Sequence, residues 1–468
     1  MLYGKPVKRR SDIARSGARK YRVYTRKDIG LIPQLQHLPV TDRIAMEAVA
    51  AVLPFRVNNY VVEELIDWSN IPEDPIFQLT FPQPGMLSPR DLARMYRLIR
   101  RGASAEAVRA AACSIQYAMN PHPAGQRDLN VPVFDDEPIP GVQHKYRETV
   151  LIFPAAGQTC HAYCTYCFRW AQFVGVDDLK FASRESDKWV RYLKGHREVT
   201  SVLFTGGDPA IMKSSVLRRF IEPLLDPALD HITSIRIGTK APAYWPYRFV
   251  TDDDADDLLT LFEEVRGSGR HLALMAHYTH PRELETPIAE LAVRRIRDAG
   301  AAVRCQAPLV RHVNDSADSW AQLWRRQVRV GAIPYYMFVE RDTGPRDYFS
   351  VPLAEALNIF NDAYRQVSGL GRTVRGPSMS ATPGKVLVDG IAMVGGQRVF
   401  VLKFLQARNP DWVGRPFFAK YDETATWLDE LRPASGAKEF FYRPELREIA
   451  VARRAGRGTG AETEATPA

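Results

Sequence analysis

The chain has 468 residues, 45% hydrophobic and 25% charged, with a formal net charge of +9. That composition suits a globular protein with a large core or two to three domains. It holds no apolar run near the ~20 residues of a membrane span and no signal-peptide core at its start, and its five cysteines, three of them in one motif, do not make a disulfide framework.

The charge is unevenly placed. Residues 1–28 carry ten Lys/Arg against Asp12 and Asp28, so nearly all of the excess lies at the N-terminus. Residues 1–34 read as a basic flexible arm, solvated rather than bound to nucleic acid. Residues 35–140 read as a helical region. Val40 opens an apolar-periodic run to Val52; Ser88-Pro89 and Ser104 supply N-cap signals for two further helices. The second of these contains Cys113, expected in the core.

From residue 141 the pattern changes. Short β-branched runs fall at 149–153, 201–205, 234–238, 272–276, 303–307 and 334–338, with amphipathic helical stretches between and after them. Six such units over residues 141–370 predict an α/β fold, an open or partial parallel β/α barrel. Residues 371–450 read as a small antiparallel C-terminal extension under a Trp/Phe-rich cover. Residues 451–468 read as a disordered tail.

The chemistry-bearing groups follow the strands. Cys160, Cys164 and Cys167 follow the first in a C-x3-C-x2-C spacing, which puts three thiolates on one loop. An iron–sulfur cluster with one iron left open is the main reading; zinc held with His161 or His277 is the competitor. Gly206-Gly207-Asp208 follows the second strand. It reads as a plain turn or as a backbone able to approach a ligand's ammonium or carboxylate. His277 and His280 follow the fourth, Gln306 ends the fifth, and Glu340-Arg341-Asp342 follows the sixth. In a β/α barrel this C-terminal face is where active sites are built. Lys385, in a Gly-bounded turn, is either solvated or placed to form an imine with an aldehyde cofactor.

In order and spacing, Lys145-Tyr146-Arg147, the three-cysteine loop through Arg169, Phe204-Thr-Gly-Gly-Asp-Pro209, Arg236-Ile-Gly238, His277-Tyr-Thr-His-Pro281, Asp298-Ala-Gly300, Val313-Asn-Asp315 and Pro334-Tyr-Tyr336 resemble the lysine 2,3-aminomutase family of radical S-adenosylmethionine enzymes. The resemblance covers roughly residues 60–405. It implies a [4Fe–4S] cluster on Cys160, Cys164 and Cys167. It implies S-adenosylmethionine lined by Gly206, Gly207, Asp208, His277 and Gln306, and pyridoxal phosphate on Lys385. Arg169 would bind the substrate α-carboxylate, and a 5′-deoxyadenosyl radical would start the migration of an amino group from Cα to Cβ. The two aspartates that hold a distal ammonium in lysine-specific members fall, without gaps, at Arg341 (with Asp342 beside it) and Ser378. No arginine stands directly before the first strand for the cofactor phosphate, and the family's C-terminal zinc cysteines are missing.

The expectation is a cytoplasmic isomerase acting on a small amino acid, lysine by default, with glutamate or a neutral amino acid as the rival. An electron donor such as flavodoxin or ferredoxin and a homo-oligomeric state would accompany it; membrane and nucleic-acid partners are not expected. The alternatives are a radical enzyme of another reaction type with Lys385 unused, and a non-catalytic RNA- or partner-binding protein working through the basic arm.

Overall fold

The computed structural model describes residues 19–184, 186–434 and 436–458. The N-terminal region is helical, as its caps predict. Helices α1 (Val40–Val52), α2 (Pro89–Arg100) and α3 (Ala105–Ala118) pack together. Ser88 accepts the Asp91 amide at 3.1 Å and Ser104 the Ala107 amide at 3.2 Å, so each cap satisfies one otherwise free helix donor. Cys113 is only half-buried on α3, whereas Cys305 is fully buried. The exposed flank of α3 explains the difference, since Ser114 beside Cys113 faces water.

Of the arm expected at 1–34, residues 1–18 lie outside the described residues. Residues 19–34 form a short strand (Val23–Thr25, paired with Arg56–Asn58) and 3-10 turns that bury Ile29 and Ile32. An apolar residue every third position fits that period, with Leu35 completing the buried row. Of the tail expected at 451–468, residues up to 458 continue a helix that starts at Arg443; the remainder lies outside the described residues.

The centre is one eleven-stranded sheet. Its strands are β1 (Val142–Tyr146), β2 (Thr149–Ile152), β3 (Ser201–Phe204), β4 (Ser234–Thr239), β5 (His271–His277), β6 (Ala302–Leu309), β7 (Ile333–Val339), β8 (Arg375–Ser380), β9 (Gly384–Val394), β10 (Gln397–Ala407) and β11 (Pro416–Lys420). Neighbours in sequence are neighbours in the sheet throughout. Pairings from β2 through β8 are all parallel; the flanking pairs are antiparallel. Helices Asp187–Gly195, Ser214–Ile221, Ala255–Gly267, Pro287–Asp298, Ala317–Arg329 and Leu353–Arg365 fill the crossovers. The six expected strands all form. A seventh parallel strand, β8, was not expected, because Arg-Gly-Pro-Ser-Met-Ser has no β-branched residue and carries a proline. Gly376 belongs there for space: a Cβ would come within 2.5 Å of the Met337 carbonyl oxygen.

The sheet bends far enough for its two ends to communicate. Lys145 on β1 donates to the carbonyl of Ala381, just past β8, and β1 also touches β10. A second apolar cluster, including Phe400, Phe404, Trp412, Phe417 and Tyr442, lies under the antiparallel end. Among the described residues no helix is long and apolar enough to cross a membrane.

Candidate active site

The cysteine loop leaves β2 and is held by main-chain contacts on both sides. From the N-terminal region, Arg56 accepts the Tyr163 amide at 2.8 Å and Leu79 the Thr165 amide at 3.0 Å. Tyr21 and Asn58 both donate to the His161 carbonyl, at 3.0 and 3.1 Å. From the sheet side, the Asp208 amide donates to the carbonyls of Gly157 at 3.0 Å and Thr159 at 2.7 Å. Gly206 and Gly207 serve this contact. Gly206 has φ +142°, and a Cβ on Gly207 would sit 2.4 Å from the Thr159 nitrogen. The glycine pair thus lets the loop after β3 seat against the cysteine loop.

Cys160, Cys164 and Cys167 are free and half-buried. Burial pushes all three thiols up, Cys167 to about 12; neighbouring cysteines add to the rise at Cys160 and Cys167 and Asp208 adds at Cys160, whereas at Cys164 Lys240 and the Tyr244 hydroxyl oppose it. Left alone they are protonated thiols; a positively charged iron centre would offset the cost of ionising them. Among the described residues no three His, Cys, Asp or Glu side chains are drawn together at single-ion distances; the cysteines sense one another's charge from farther apart. A donor set of soft thiolates on one loop fits a multi-atom iron–sulfur centre. The Tyr244 hydroxyl lies 3.3 Å from Cys164 Sγ.

Asp208 is buried with its carboxylate engaged: Oδ1 accepts from Thr239 Oγ1 (2.6 Å) and the Ala210 amide (2.9 Å), Oδ2 from the Lys240 amide (2.8 Å). Burial raises its pKa to about 6 despite those bonds. It ties the end of β3 to the end of β4. Lys240, unremarked by its sequence context, pairs with buried Glu283 at 2.6 Å and donates to Thr279 Oγ1 at 3.0 Å. On the next two strands His277 and Gln306 stand in register, their Nε2 atoms 3.2 Å apart. Burial lowers the pKa of His277 to about 3, so the ring is neutral and its Nε2 accepts from the Gln306 amide. His280 turns aside and accepts the Arg282 amide at 3.3 Å, apart from this pair.

Arg169 is buried over the Phe153 ring, 4.2 Å from its centroid, with Nε unpartnered; burial lowers its pKa to about 10. Arg341 lies 4.5 Å over Phe168, with Nη1 buried and unpartnered. The charge of Arg341 depresses the pKa of Arg169, Lys145 and Lys385. The Asn120 side chain donates to the Asp342 main-chain carbonyl at 2.6 Å and reaches its Oδ2 at 3.4 Å, while Asp342 Oδ1 is buried without a partner and its charge acts on Arg341. Ser378 is fully buried on β8 with an unpartnered hydroxyl.

Lys385 is the second residue of β9, opposite Ser380, the last residue of β8. Its Nζ lies 4.1 Å from the centroid of Tyr336 and 5.5 Å from that of Phe338. Burial, then the charges of Arg236, Arg375 and Arg341, lower its pKa to about 7. That is the environment of a nucleophilic amine rather than of a solvated lysine, and it fits an aldehyde cofactor. Of the groups that shape this pocket, sequence reasoning missed Glu283 and Arg375 and gave Lys240, at the end of the third strand, no role; Lys145 and Tyr336 entered only within motifs. Arg236 was noted only as part of a motif. None stands in a local pattern that distinguishes it from a solvated or core residue.

No family model matches the chain. A putative L-lysine 2,3-aminomutase of Aquifex aeolicus is 29% identical over 397 residues, 85% of this chain and 92% of that protein. The L-lysine 2,3-aminomutases of Fusobacterium nucleatum and Clostridium subterminale are 29% and 27% identical over 244 residues each. Those alignments take in 52% of this chain and 54% and 55% of theirs, so the chain spans about half the length of these two relatives. A solved structure of Streptococcus suis SuiB bound to the precursor peptide SuiA covers 60% of the chain at 11% identity and a TM-score of 0.33, which adds nothing on the fold. Three cysteines on the loop after the first parallel strand and relatives of one kind support membership of the lysine 2,3-aminomutase-like radical S-adenosylmethionine family.

Proposed function

We propose that the protein is a radical S-adenosylmethionine, pyridoxal phosphate-dependent 2,3-aminomutase whose substrate is an amino acid with a carboxylate or neutral side chain. The observation that carries the reading is the pair Arg169 and Arg341, the second of which also acts on Lys385. Arg169 and Arg341 both keep buried donors without partners, and Arg341 charge reaches Arg169 and Lys385 alike. Two guanidiniums facing one space suit a substrate with two carboxylates, one bound by each. The ammonium of lysine would face Arg341 instead of an aspartate, and Asp342, which a one-residue shift would need, has Oδ2 within 3.4 Å of the Asn120 side chain and its charge offset by Arg341.

When bound, the cluster and S-adenosylmethionine supply a hydrogen-abstracting radical, and pyridoxal phosphate supplies the carbonyl that carries the migrating nitrogen. This chain's residues do the rest. Cys160, Cys164 and Cys167 hold the cluster. The Gly206-Gly207 backbone, His277 and Gln306 line the cosubstrate, with Asp208 as a positioning residue that fixes the loops on either side. Arg169 orients the α-carboxylate. Lys385, with a pKa of about 7, offers a neutral amine at neutral pH and returns the proton it takes up. The parallel strands β2–β8 are read as an open barrel that keeps these groups on one face, in a cytoplasmic enzyme served by a small electron donor.

Anaerobic reconstitution with iron, sulfide, pyridoxal phosphate, S-adenosylmethionine and a reductant tests this. Glutamate, aspartate, lysine and neutral amino acids are offered and β-amino products sought by mass spectrometry. A β-amino acid from an acidic or neutral substrate supports the reading. Turnover of lysine alone overturns the substrate class. Deoxyadenosine without any β-amino acid, with Lys385→Ala unchanged, points to a radical enzyme of another reaction type.

A further inference from the structure

At the end of the parallel sheet away from the cysteines lies a cavity of about 290 Å³. Thr149, Ser201 and Ser234, each the first residue of its strand, line it with Arg236, Arg304 and Tyr335, each the third of its own. Ser234 donates to Ser201 at 2.8 Å. The Arg236 Nε is buried without a partner, and its Nη2 reaches only Thr149 Oγ1, at 3.5 Å. Arg304 lies over the Tyr335 ring at 5.3 Å and Arg375 over the same ring at 4.6 Å. Among the described residues, none of these three arginines forms an ion pair with a carboxylate, although more than twenty such pairs form elsewhere.

Arg236, Arg304 and Arg375 are half-buried, and like charges gathered with no counter-charge repel one another. A bound anion offsets that repulsion, and phosphate matches the guanidinium fork and the flanking hydroxyls. The cavity also connects to the amine. Arg375 lies 4.4 Å over Tyr336, and Lys385 Nζ lies 4.1 Å over that same ring. Two adjacent tyrosines thus link the cavity to Lys385. Arg147, the nearest arginine before the first parallel strand, is exposed and serves only as a carbonyl acceptor for His144, at 3.0 Å.

We propose that this cavity is the seat of the phosphate of the aldehyde cofactor, with Arg236 and Arg304 as its direct ligands and Arg375 between it and the amine. The phosphate is therefore held from the third residues of β4 and β6, not from the residue before the first parallel strand. This rests on the reading of Lys385 as the imine-forming lysine, and the two parts fail separately.

The test measures binding of pyridoxal phosphate, pyridoxal, pyridoxamine phosphate and inorganic phosphate to the full chain by calorimetry and absorbance. The variants are Arg304→Met, Arg236→Met and Lys385→Ala. Wild type is expected to prefer pyridoxal phosphate to pyridoxal, and each arginine variant to lose roughly 10–100-fold of that preference, the range of one charge-assisted contact. Pyridoxal binding should be unchanged in both, which also controls for folding. Inorganic phosphate should displace pyridoxamine phosphate from Lys385→Ala, which keeps the cavity but lacks the amine. If both arginine variants retain the full preference, the proposal is overturned while the lysine reading stands. If phosphate compounds bind in an Arg304-dependent way but no imine forms in wild type, the lysine reading falls and the phosphate seat remains.

Discussion

Lys240 Nζ stands 2.6 Å from Glu283 Oε1, both side chains almost wholly out of water. Thr279 joins them: its hydroxyl accepts from Lys240 and its amide donates to Glu283 Oε2 at 2.5 Å. Tyr166, between Cys164 and Cys167, reaches the same Thr279 hydroxyl at 3.0 Å. The ion pair is therefore part of the floor under the cysteine loop. Removing one partner leaves a buried charge. Glu283→Ala should lose about 3–5 kcal/mol of unfolding free energy in urea titrations. Lys240→Met with Glu283→Leu should recover most of it, because a matched apolar pair leaves no charge stranded. An unchanged midpoint for Glu283→Ala would show that the pair bears no part of the fold.

Gly207→Ala tests the seating of the two loops. Its Cβ would meet backbone atoms of Thr159 and Gly157 at 2.4–2.7 Å, which cannot swing aside. The nearest atom to the Cβ of Gly238→Ala is the Thr205 hydroxyl oxygen, at 3.1 Å, with its other neighbours at 3.5 and 3.6 Å. After anaerobic reconstitution, iron per chain should fall several-fold in Gly207→Ala and stay near wild type in Gly238→Ala, with circular dichroism unchanged in both. Equal iron content in the two would separate the glycine pair from the cysteines.

Lys385 offers a pH signature. Burial and three nearby arginines hold its pKa at about 7, against the ~10.4 of a solvated lysine. The nucleophile is the neutral amine. Trapping of pyridoxal at Lys385 by borohydride, followed by peptide mass spectrometry, should therefore rise between about pH 6 and 8 and then level off. A rate still climbing past pH 9 would identify an ordinary exposed amine.

Acid should weaken the fold through histidines that remain neutral. Burial lowers His161, His277 and His280 each to about 3. The unfolded chain takes up protons near 6.5 that the folded chain refuses until about 3, so stability rises with pH across that window and is lost as pH falls through it. By pH 5.5 each group costs on the order of 1 kcal/mol. Urea midpoints at pH 7.5 and 5.5 check this; replacing His280 by Gln should flatten the difference by about a third.

The parallel strands and their helices were legible in sequence because each buries an apolar run bounded by turn residues, as at Ser201–Phe204 and Pro287–Asp298. The order of motifs likewise singled out the cysteines, the glycine pair and Lys385 as candidates. What stayed hidden depends on contacts between distant segments. Lys240 and Glu283 are 43 positions apart, and no local pattern marks them as partners. Arg236, Arg304 and Arg375 come from three strands, and only the sheet's stacking puts them around Tyr335 and Tyr336. The strand Arg375–Ser380 escaped because its neighbours, not its composition, impose its conformation.

The backbone anchoring of the cysteine loop has a bearing on how the centre is assembled. Arg56, Leu79 and Asp208 hold the loop through peptide groups, so its shape does not wait for iron. Cluster insertion then becomes capture by a preformed cup, unlike small zinc modules that fold only around their ion. Iron removal by a chelator should leave the melting curve cooperative, and the centre should be rebuilt in the folded chain without a denaturing step.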